Sequence, residues 1–580
     1  MRILNGIAAS GGISCGKALV FTHNSLEVSR EKIEPEKVKE ELEKFDIAVE
    51  KSMKETQALF DSIDDDTRKE ILETHIIMLQ DPEYLSEIKD SISIHYQNAA
   101  WAVESVTASL IATLESSDIE MLRDRAIDLS DISRLLIENL SFKRSKKLSQ
   151  IKKEVILVAD SLLPSEMLTI NKKWIKAIAV DTGGRTSHVA IFARSFGIPT
   201  VLGLYGASLK ARDGDEVILD GNEGQIVIRP EWYVKKKFEI TKANWEAYQK
   251  ELLTVAKLPV ISPDKKDYVL KANIETADEV APSLEKGASG IGLFRSEFLF
   301  LQKNGSLKED VQFEAYKEVL EKMNGNPVTI RTIDIGGDKA VAGLGIDEEN
   351  PILGWRAIRF CLERKDIFRI QLRALLRSSI YGKLHIMFPM ISGLDELEQT
   401  LLVYKQVQEE LRANKIPFDE DVKIGTMIEV PSAALISDEL AKRVDFFSIG
   451  TNDLIQYTIA VDRGNEKIAH LYQPFHPGVL RLIKIVIDNA HKENIPIGMC
   501  GEMASNPYAT VLLAGLGLDE FSMSPSSLLE VRKILRTVKY SEAKQMSEKV
   551  LKMNSSKEIV SYVKQWMSNR FEHLPSSHTL

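Results

Sequence analysis

Apolar side chains recur at spacings of three and four residues through the first quarter of the chain. One such series consists of Val38, Leu42, Phe45 and Val49. This spacing places the apolar side chains on one face of a helix. Similar series follow within residues 103–114 and 122–140. The pattern therefore predicts a subdomain of packed helices from about residue 34 to residue 143.

Short apolar segments separated by glycine turns lie on both sides of the helical segment. The predicted strands occupy residues 1 to about 20 and then 154–160, 177–181, 215–220 and 225–230. They indicate an α/β domain made of residues 1–20 and 144–230, which residues 21–143 interrupt as a helical insert. The charged segment 231–260 is predicted to be a helical linker.

Beyond about residue 260, short apolar strands alternate with helical segments. The eight predicted strands are 268–274, 290–294, 328–332, 384–390, 424–429, 446–453, 496–502 and 520–524. Eight such alternating units are typical of a closed (β/α)8 barrel. The predicted fold class is therefore multidomain α/β, in which the interrupted α/β domain precedes a TIM barrel over residues 261–580.

Composition and charge narrow the kinds of partner that the chain is expected to have. The net charge of −10 argues against a nucleic-acid-binding face. No apolar run has membrane-spanning length, and the N-terminus lacks the layout of a signal peptide. Three scattered cysteines are too few for a disulfide framework or a zinc site. We therefore expect a cytoplasmic protein without nucleic-acid or membrane partners.

The predicted ends of the barrel strands carry an unusual set of polar residues. They are Arg295, Arg331, Glu429, Asn452, Asp453 and Cys500. Active sites of such barrels lie at the C-terminal ends of the strands. Arginine binds phosphate through paired N–H groups, and Mg²⁺ prefers one or two carboxylates together with substrate oxygens. The set predicts a site for a small, anionic, phosphorylated substrate with Mg²⁺, the alternative being separate, solvated loop charges.

For two residues with reactive side chains, the residue type and its position in the sequence are compatible with more than one role. Cys500 could donate or accept a proton at the barrel mouth, or simply fill space as a small buried side chain. Arginines and a divalent ion would favour its thiolate, whereas proton donation requires the thiol. His188 follows a glycine pair, and Thr186 or Ser187 could cap the helix that it begins. Its imidazole could meet an anion there, the alternative being an ordinary surface or core histidine.

Several longer segments carry distinctive combinations of residues. They are GGRTSHVAIFARS, GLFRSEFLF, RTIDIGGDK, ENPILGWRAIR, IGTMIEVPSAA, DFFSIGTNDLIQYTIAVDRGNE and GMCGEM. In these segments and in their order, the chain resembles Enzyme I of the phosphoenolpyruvate-dependent phosphotransferase system, nearly end to end. The resemblance implies transfer of the phosphoryl group of phosphoenolpyruvate to the chain's own histidine and then to the phosphocarrier protein HPr. Pyruvate would be released in this first step of a sugar phosphotransferase system.

The same resemblance implies roles for individual residues. His188 would be the phosphorylated histidine, and Cys500 would donate a proton to the enolate. The residues that would contact phosphoenolpyruvate are Arg295, Arg331, Asn452, Asp453 and Arg463, with Arg356 as a helper. The Mg²⁺ ligands would be Glu429 and Asp453. The helical insert would bind HPr, and the barrel would form a homodimer.

Two other functions fit parts of the pattern. A pyruvate, phosphate dikinase or phosphoenolpyruvate synthase shares the histidine domain and the barrel. Such an enzyme also needs a nucleotide-binding domain before the histidine, where this chain has a predicted helical insert without a glycine-rich phosphate loop. A barrel scaffold that binds partners without catalysis is the second alternative, and the presence of all the reactive residues argues against it.

Overall fold

The computed structural model describes most of the chain as two compact units. The described residues are 1–23, 28–61, 66–115, 120–141, 148–183, 188–297, 299–300, 308–336, 350–463, 465 and 467–571. The first unit comprises Met1–Ala247, and the second begins at Tyr248. Each unit has its own sheet and its own buried core.

The first unit contains an eight-stranded mixed sheet. Its strands are β1 Arg2–Asn5, β2 Ile7–Ser10, β3 Ile13–Phe21, β4 Val155–Ala159, β5 Ile175–Val180, β6 Thr200–Leu202, β7 Glu216–Asp220 and β8 Gln225–Ile228. They pair in the order β1-β8-β7-β3-β4-β5-β6-β2. Strands β3, β4, β5 and β6 run parallel to one another, so their carboxyl ends share one edge of the sheet.

The helices of this unit are long between β3 and β4 and mostly short elsewhere. They are α1 Val38–Asp61, α2 Asp66–Leu79, α3 Pro82–His95, α4 Ala99–Glu115, α5 Glu120–Ser141, α6 Pro164–Leu168, α7 His188–Phe196, α8 Ala207–Lys210 and α9 Trp232–Thr254, the last of which extends past Ala247. The predicted apolar series converge on a separate core, in which Phe45 is fully buried against Ile88 and Leu136. A helical segment therefore interrupts the α/β fold, as the periodicity predicts.

The second unit is a closed barrel of eight parallel strands. They are β9 Val269–Ile274, β10 Ile291–Arg295, β11 Val328–Arg331, β12 Leu384–Phe388, β13 Lys423–Ile428, β14 Phe446–Ile449, β15 Ile497–Met499 and β16 Glu520–Met523. Strand β16 pairs with β9, which closes the ring. The predicted fold class is therefore confirmed. Several strands are shorter than predicted, and the largest differences are at β12, β14 and β15, which end at Phe388, Ile449 and Met499. Asn452 and Asp453 lie in the first turn of the helix that follows β14.

Helices alternate with the barrel strands and continue beyond the last of them. They are α10 Val280–Glu285, α11 Glu309–Lys322, α12 Ile358–Glu363, α13 Lys365–Ser378, α14 Leu394–Ala413, α15 Pro431–Leu435, α16 Ser437–Ala441, α17 Thr451–Ile459, α18 Pro477–Lys492, α19 Pro507–Leu516, α20 Leu528–Thr537, α21 Tyr540–Val550 and α22 Ser556–Ser568. Within the described ranges, no helix combines the length and the apolar character needed to cross a membrane.

Candidate active site at the barrel mouth

The parallel strands bring the predicted polar residues to one end of the barrel. Arg295 and Arg331 are the last residues of β10 and β11, and these two strands are neighbours. Glu429 directly follows β13, and Cys500 directly follows β15. Because all eight strands run in the same direction, residues at their C-terminal ends surround a common mouth.

Arg331 is buried and is held between two carboxylates. One of its terminal nitrogens bonds to Glu297, which follows β10, and Nη1 lies 3.0 Å from Oδ2 of Asp334. Burial alone disfavours the charged guanidinium, but Glu297 and Asp334, with help from Glu429, raise the pKa of Arg331 above its ordinary value. This side chain is therefore a permanent, preorganised positive charge at the mouth.

Arg356 reaches the same cluster from the loop after β11. Its Nη2 lies 2.9 Å from Oδ1 of Asp334, and its Nη1 lies 3.2 Å from Oδ1 of Asp453. The backbone fixes this approach: Ala357 N donates to the carbonyl of Ile335 (2.9 Å). A side chain at Gly336 (φ +102°) would place its Cβ 2.7 Å from Cβ of Arg356. Gly336, the first glycine of the motif DIGGDK, therefore allows the backbone to lie close to Arg356.

Glu429 is the most buried acidic group of the predicted set. Its Oε1 accepts a hydrogen bond of 2.7 Å from the backbone N–H of Met390. Its Oε2 lies 2.7 Å from the position of a Cβ at Gly450, so only glycine leaves room for this carboxylate. Burial and the facing carboxylates of Asp453 and Asp334 raise the pKa of Glu429, and the nearby arginines oppose that rise.

The inner cluster carries more negative than positive groups. Its carboxylates belong to Glu297, Asp334, Glu429 and Asp453, and its guanidinium groups belong to Arg331 and Arg356. If all are ionised, the cluster has an excess of two negative charges, which a divalent cation would neutralise. In the described part of the chain, no three metal-binding side chains converge on a point.

The other predicted substrate contacts lie at the exposed rim instead of in the inner cluster. Arg295 Nη1 pairs with Glu275 at 2.8 Å, and both side chains are more than a third exposed. Asn452 donates to Oε1 of Glu502 at 3.2 Å, and Arg463 Nη1 lies 3.8 Å from the same oxygen. The predicted site residues therefore form two groups, a buried inner cluster and a more exposed rim.

Cys500 occupies the interior of the barrel just below the mouth. Its side chain packs in a small cluster with Leu293, Met387 and Met427. Burial raises the pKa of its thiol, although Arg331 opposes the rise. Electrostatic attraction to the arginines is therefore outweighed, and the protonated thiol required of a proton donor is the favoured form.

His188 lies in α7 of the first unit and is the first described residue of that helix. The turn with Thr186 and Ser187 lies outside the described residues, as does the His188 side chain. The chain reaches this turn from the carboxyl end of β5, where Thr182 Oγ1 donates to the carbonyl of Asp160 (3.2 Å). The histidine helix therefore follows the edge at which the parallel strands end.

Sequence reasoning missed the carboxylates that hold the arginines. Glu297 and Asp334 bind Arg331, and Glu502 contacts Arg463. A usable signal existed for Asp334, which stands three residues after a strand-end arginine in RTID. A buried arginine needs a nearby anion, so an acidic residue at that distance was a candidate partner.

Three family models match successive parts of the chain. They describe the N-terminal domain, the mobile domain and the PEP-binding domain of PEP-utilising enzymes, over residues 5–125, 151–224 and 249–540 respectively. The class of protein that this fold and this acid–arginine mouth define is therefore the PEP-utilising enzymes.

Comparison with individual proteins narrows that class. Two relatives named phosphoenolpyruvate-protein phosphotransferase, from Bacillus sp. (strain S) and Geobacillus stearothermophilus, are each 42% identical over 98% of this chain and 98% of their own length. A solution structure of an Enzyme I protein is 36% identical, with a TM-score of 0.38, and covers 42% of this chain and 99% of that chain. This chain belongs to the phosphoenolpyruvate-protein phosphotransferase family, which confirms the resemblance predicted from its motifs.

Proposed function

We propose that this chain transfers the phosphoryl group of phosphoenolpyruvate to His188 and then to a histidine of a carrier protein, with release of pyruvate. The observation that carries the proposal is the inner cluster, in which Arg331 and Arg356 are held beside Glu429 and Asp453. Membership of the family supports the same chemistry, because its relatives carry that activity in their name.

The side chains of the mouth have distinct tasks in this reaction. Charge on the equatorial oxygens of the phosphoryl group grows in a loose transition state, so fixed guanidinium groups stabilise it without reorganisation. Glu429 and Asp453 would hold Mg²⁺, which supplies further stabilisation of charge on the substrate oxygens. Arg295, Asn452 and Arg463 would orient the substrate from the rim.

The bond changes balance when two proton movements are included: the phosphorylated ring of His188 loses its N–H proton to solvent, and the Cys500 thiolate takes up a proton from solvent after each turnover. A ring nitrogen of His188 forms a bond to phosphorus as the bond between phosphorus and the enol oxygen breaks. The enolate that leaves takes a proton at its methylene carbon from the thiol of Cys500, which yields pyruvate. The raised pKa of this thiol supports its role as the acid. In the second step the phosphoryl group passes from His188 to the carrier.

The carrier, the assembly and the location also belong to the proposal. The helical insert is proposed to bind HPr, and it exposes the apolar side chains of Ile47, Ile77 and Ile94. The barrel is proposed to form a homodimer, and the protein to act in the cytoplasm.

The test of the proposed function is labelling with phosphoenolpyruvate that carries a radioactive phosphoryl group. We expect one acid-labile, base-stable label on His188, and none on the variant His188→Ala. The matched control is His95→Ala, because His95 is an exposed histidine at the end of another helix. Label on a different residue would refute the assignment of His188.

The same assay separates the two alternative functions. A dikinase or synthase would label the wild-type protein from ATP. A scaffold would show no label with either donor although the protein is folded. Label from phosphoenolpyruvate alone, followed by its transfer to purified HPr, is the result that the proposal requires.

A further inference from the structure

Asp334 is a buried carboxylate that contacts two arginines at once. Its Oδ2 lies 3.0 Å from Nη1 of Arg331, and its Oδ1 lies 2.9 Å from Nη2 of Arg356. Its side chain is 1% exposed, and those of the two arginines are 7% and 3% exposed. The two guanidinium groups are therefore attached to the two oxygens of one carboxylate, whose dimensions set their separation.

The backbone that carries Asp334 is itself tied to neighbouring elements. Ile333 N donates to Oε1 of Gln371 on α13 (2.9 Å), and Thr332 N donates to the carbonyl of Met387 (3.0 Å). Ser296 Oγ donates to the carbonyl of Arg331 (2.7 Å). Gln371 also donates to Ser296 Oγ at 3.0 Å, which completes a buried hydrogen-bond network beside the segment that carries Asp334. The carboxylate thus has little freedom to follow the arginines if they move.

Charge neutralisation alone does not account for Asp334. Arg331 already has Glu297 as a partner, and Arg356 already has Asp453. What Asp334 adds, among the interactions of the described residues, is a link between the two arginines. A link of this kind fixes how the two guanidinium planes face one another.

We infer that Asp334 is a positioning residue, which holds Arg331 and Arg356 at the separation and orientation that the phosphoryl substrate requires. This inference rests on the proposed function, because it assigns these arginines to the substrate. Phosphoryl transfer depends almost wholly on positioning and electrostatic stabilisation. A displacement of about 1 Å at a reacting site can cost about a hundredfold in rate.

The variant Asp334→Asn tests the inference. The amide has nearly the same shape, but it offers one acceptor oxygen and turns an N–H donor toward a guanidinium. The measurement is the rate constant of a single turnover with phosphoenolpyruvate, followed by rapid quenching of the protein phosphorylation. This rate constant does not depend on the fraction of protein that is folded. We expect a decrease of about a hundredfold.

The matched control is Glu520→Gln in the same barrel. Glu520 pairs with Lys271, whose side chain is 7% exposed, at the first residue of β16 and so at the opposite ends of the strands. Both substitutions remove a carboxylate from a buried cation, so both are expected to lower the thermal midpoint of the barrel. Only Asp334→Asn is expected to slow the single turnover.

A second variant, Asp334→Glu, covers the case in which Asp334→Asn does not fold. It keeps the charge and both acceptor oxygens but moves them by one methylene group, so we expect a folded protein with an intermediate rate. Single-turnover rates within threefold of wild type in the variants that fold would overturn the inference. An equal decrease in Glu520→Gln would also overturn it.

Failure of the proposed function would look different from failure of this inference. If the wild-type protein takes no phosphoryl group from phosphoenolpyruvate, the proposed function is wrong. If wild type is labelled and Asp334→Asn is labelled equally fast, the proposed function stands and only the positioning role is lost. Exchange of the phosphoryl group between the first unit and the carrier is expected to be unchanged in every barrel variant.

Discussion

The barrel mouth and the sheet edge of the first unit bury charged groups in two different ways. At the mouth, four carboxylates surround two arginines, so carboxylates outnumber guanidinium groups in the inner cluster. At the sheet edge, His23 Nδ1 lies 2.9 Å from Asp160, and Nε2 lies 2.9 Å from Glu166. There each ring nitrogen has its own carboxylate, and no proton-bearing nitrogen of the ring is left for a ligand.

This difference distinguishes a ligand-binding site at the barrel mouth from a cluster around His23 that only stabilises the fold. A cluster in which carboxylates outnumber guanidinium groups gains stability when a cation binds. A cluster whose hydrogen bonds are all satisfied gains nothing from a ligand and only stabilises the local fold. The His23 cluster ties the ends of β3 and β4 to α6, and α6 in turn bonds through Ser165 to Asp131 of the helical insert. The following predictions test that distinction in order of decreasing effect.

The largest effect is expected from Glu429→Gln. Removing one carboxylate from the inner cluster deletes a proposed Mg²⁺ ligand, and a bound metal contributes several kcal/mol of stabilisation of transition-state charge. We expect phosphorylation by phosphoenolpyruvate to fall by about a thousandfold. The measurement is the initial rate across a range of Mg²⁺ concentrations, with Glu520→Gln, at the opposite ends of the strands, as control. A rate that equals wild type at every Mg²⁺ concentration would contradict the assignment.

Cys500→Ala is expected to have the next largest effect. Burial raises the pKa of the Cys500 thiol, which favours the form that can donate a proton, and general acid catalysis contributes about a hundredfold or more. Pyruvate release should slow by that factor, whereas exchange between phosphorylated His188 and the carrier should be spared. Both half-reactions and the thermal midpoint are measured on one preparation. Equal losses in the two half-reactions would reduce Cys500 to a packing residue.

His23→Gln should affect stability in a way that depends on pH. Burial alone lowers the pKa of His23, but Glu166 and Asp160, against an opposing charge at Arg134, raise it above its ordinary value. The ion pairs therefore stabilise the fold fully below the unfolded pKa of about 6.5, and this contribution is lost as pH rises through the raised folded pKa. We expect a loss of about 2 kcal/mol at low pH that shrinks as pH rises.

The measurement for His23→Gln is hydrogen exchange of the amides of β4 in the intact chain. Variant and wild type are compared at the same pH, so that intrinsic exchange rates cancel. Ser161→Ala is the matched control, because it removes the bond between Ser161 Oγ and His23 Nδ1 without removing charge. A destabilisation that stays constant or grows with rising pH would show that His23 is held as the neutral ring.

The smallest effect is expected on the stability of the barrel, from the variant Arg463→Ala. Its contact with Glu502 is 3.8 Å long and solvent-exposed, and such pairs contribute less than about 1 kcal/mol to stability. Breaking the buried pairs of Arg331 by Arg331→Ala should instead cost about 3–5 kcal/mol. Urea unfolding of the barrel in the two variants checks the contrast. Equal losses of stability would contradict the division between inner cluster and rim.

The periodic parts of the fold could be predicted well, because periodicity is a local property. The helical series around Phe45 and the eight apolar strands were found without knowledge of any contact. Once the strands were predicted, the polar residues at their C-terminal ends could be assigned to one site, because parallel strands end on the same side of the barrel. The limit of β14 was predicted too far along the chain because its apolar residues lead into the polar start of α17, and periodicity does not locate such a boundary.

By itself, the sequence determined which elements form, which reactive residues the barrel ends carry and which family the motifs resemble. Only the tertiary structure decided which charges pair, because Asp334 meets Arg356 across 22 residues and Asp453 meets it across 97. It also decided the state of Cys500, since burial in the barrel outweighs the attraction of the arginines. Pairing and burial depend on distances between segments that are far apart in the chain, and no local pattern of residues encodes those distances.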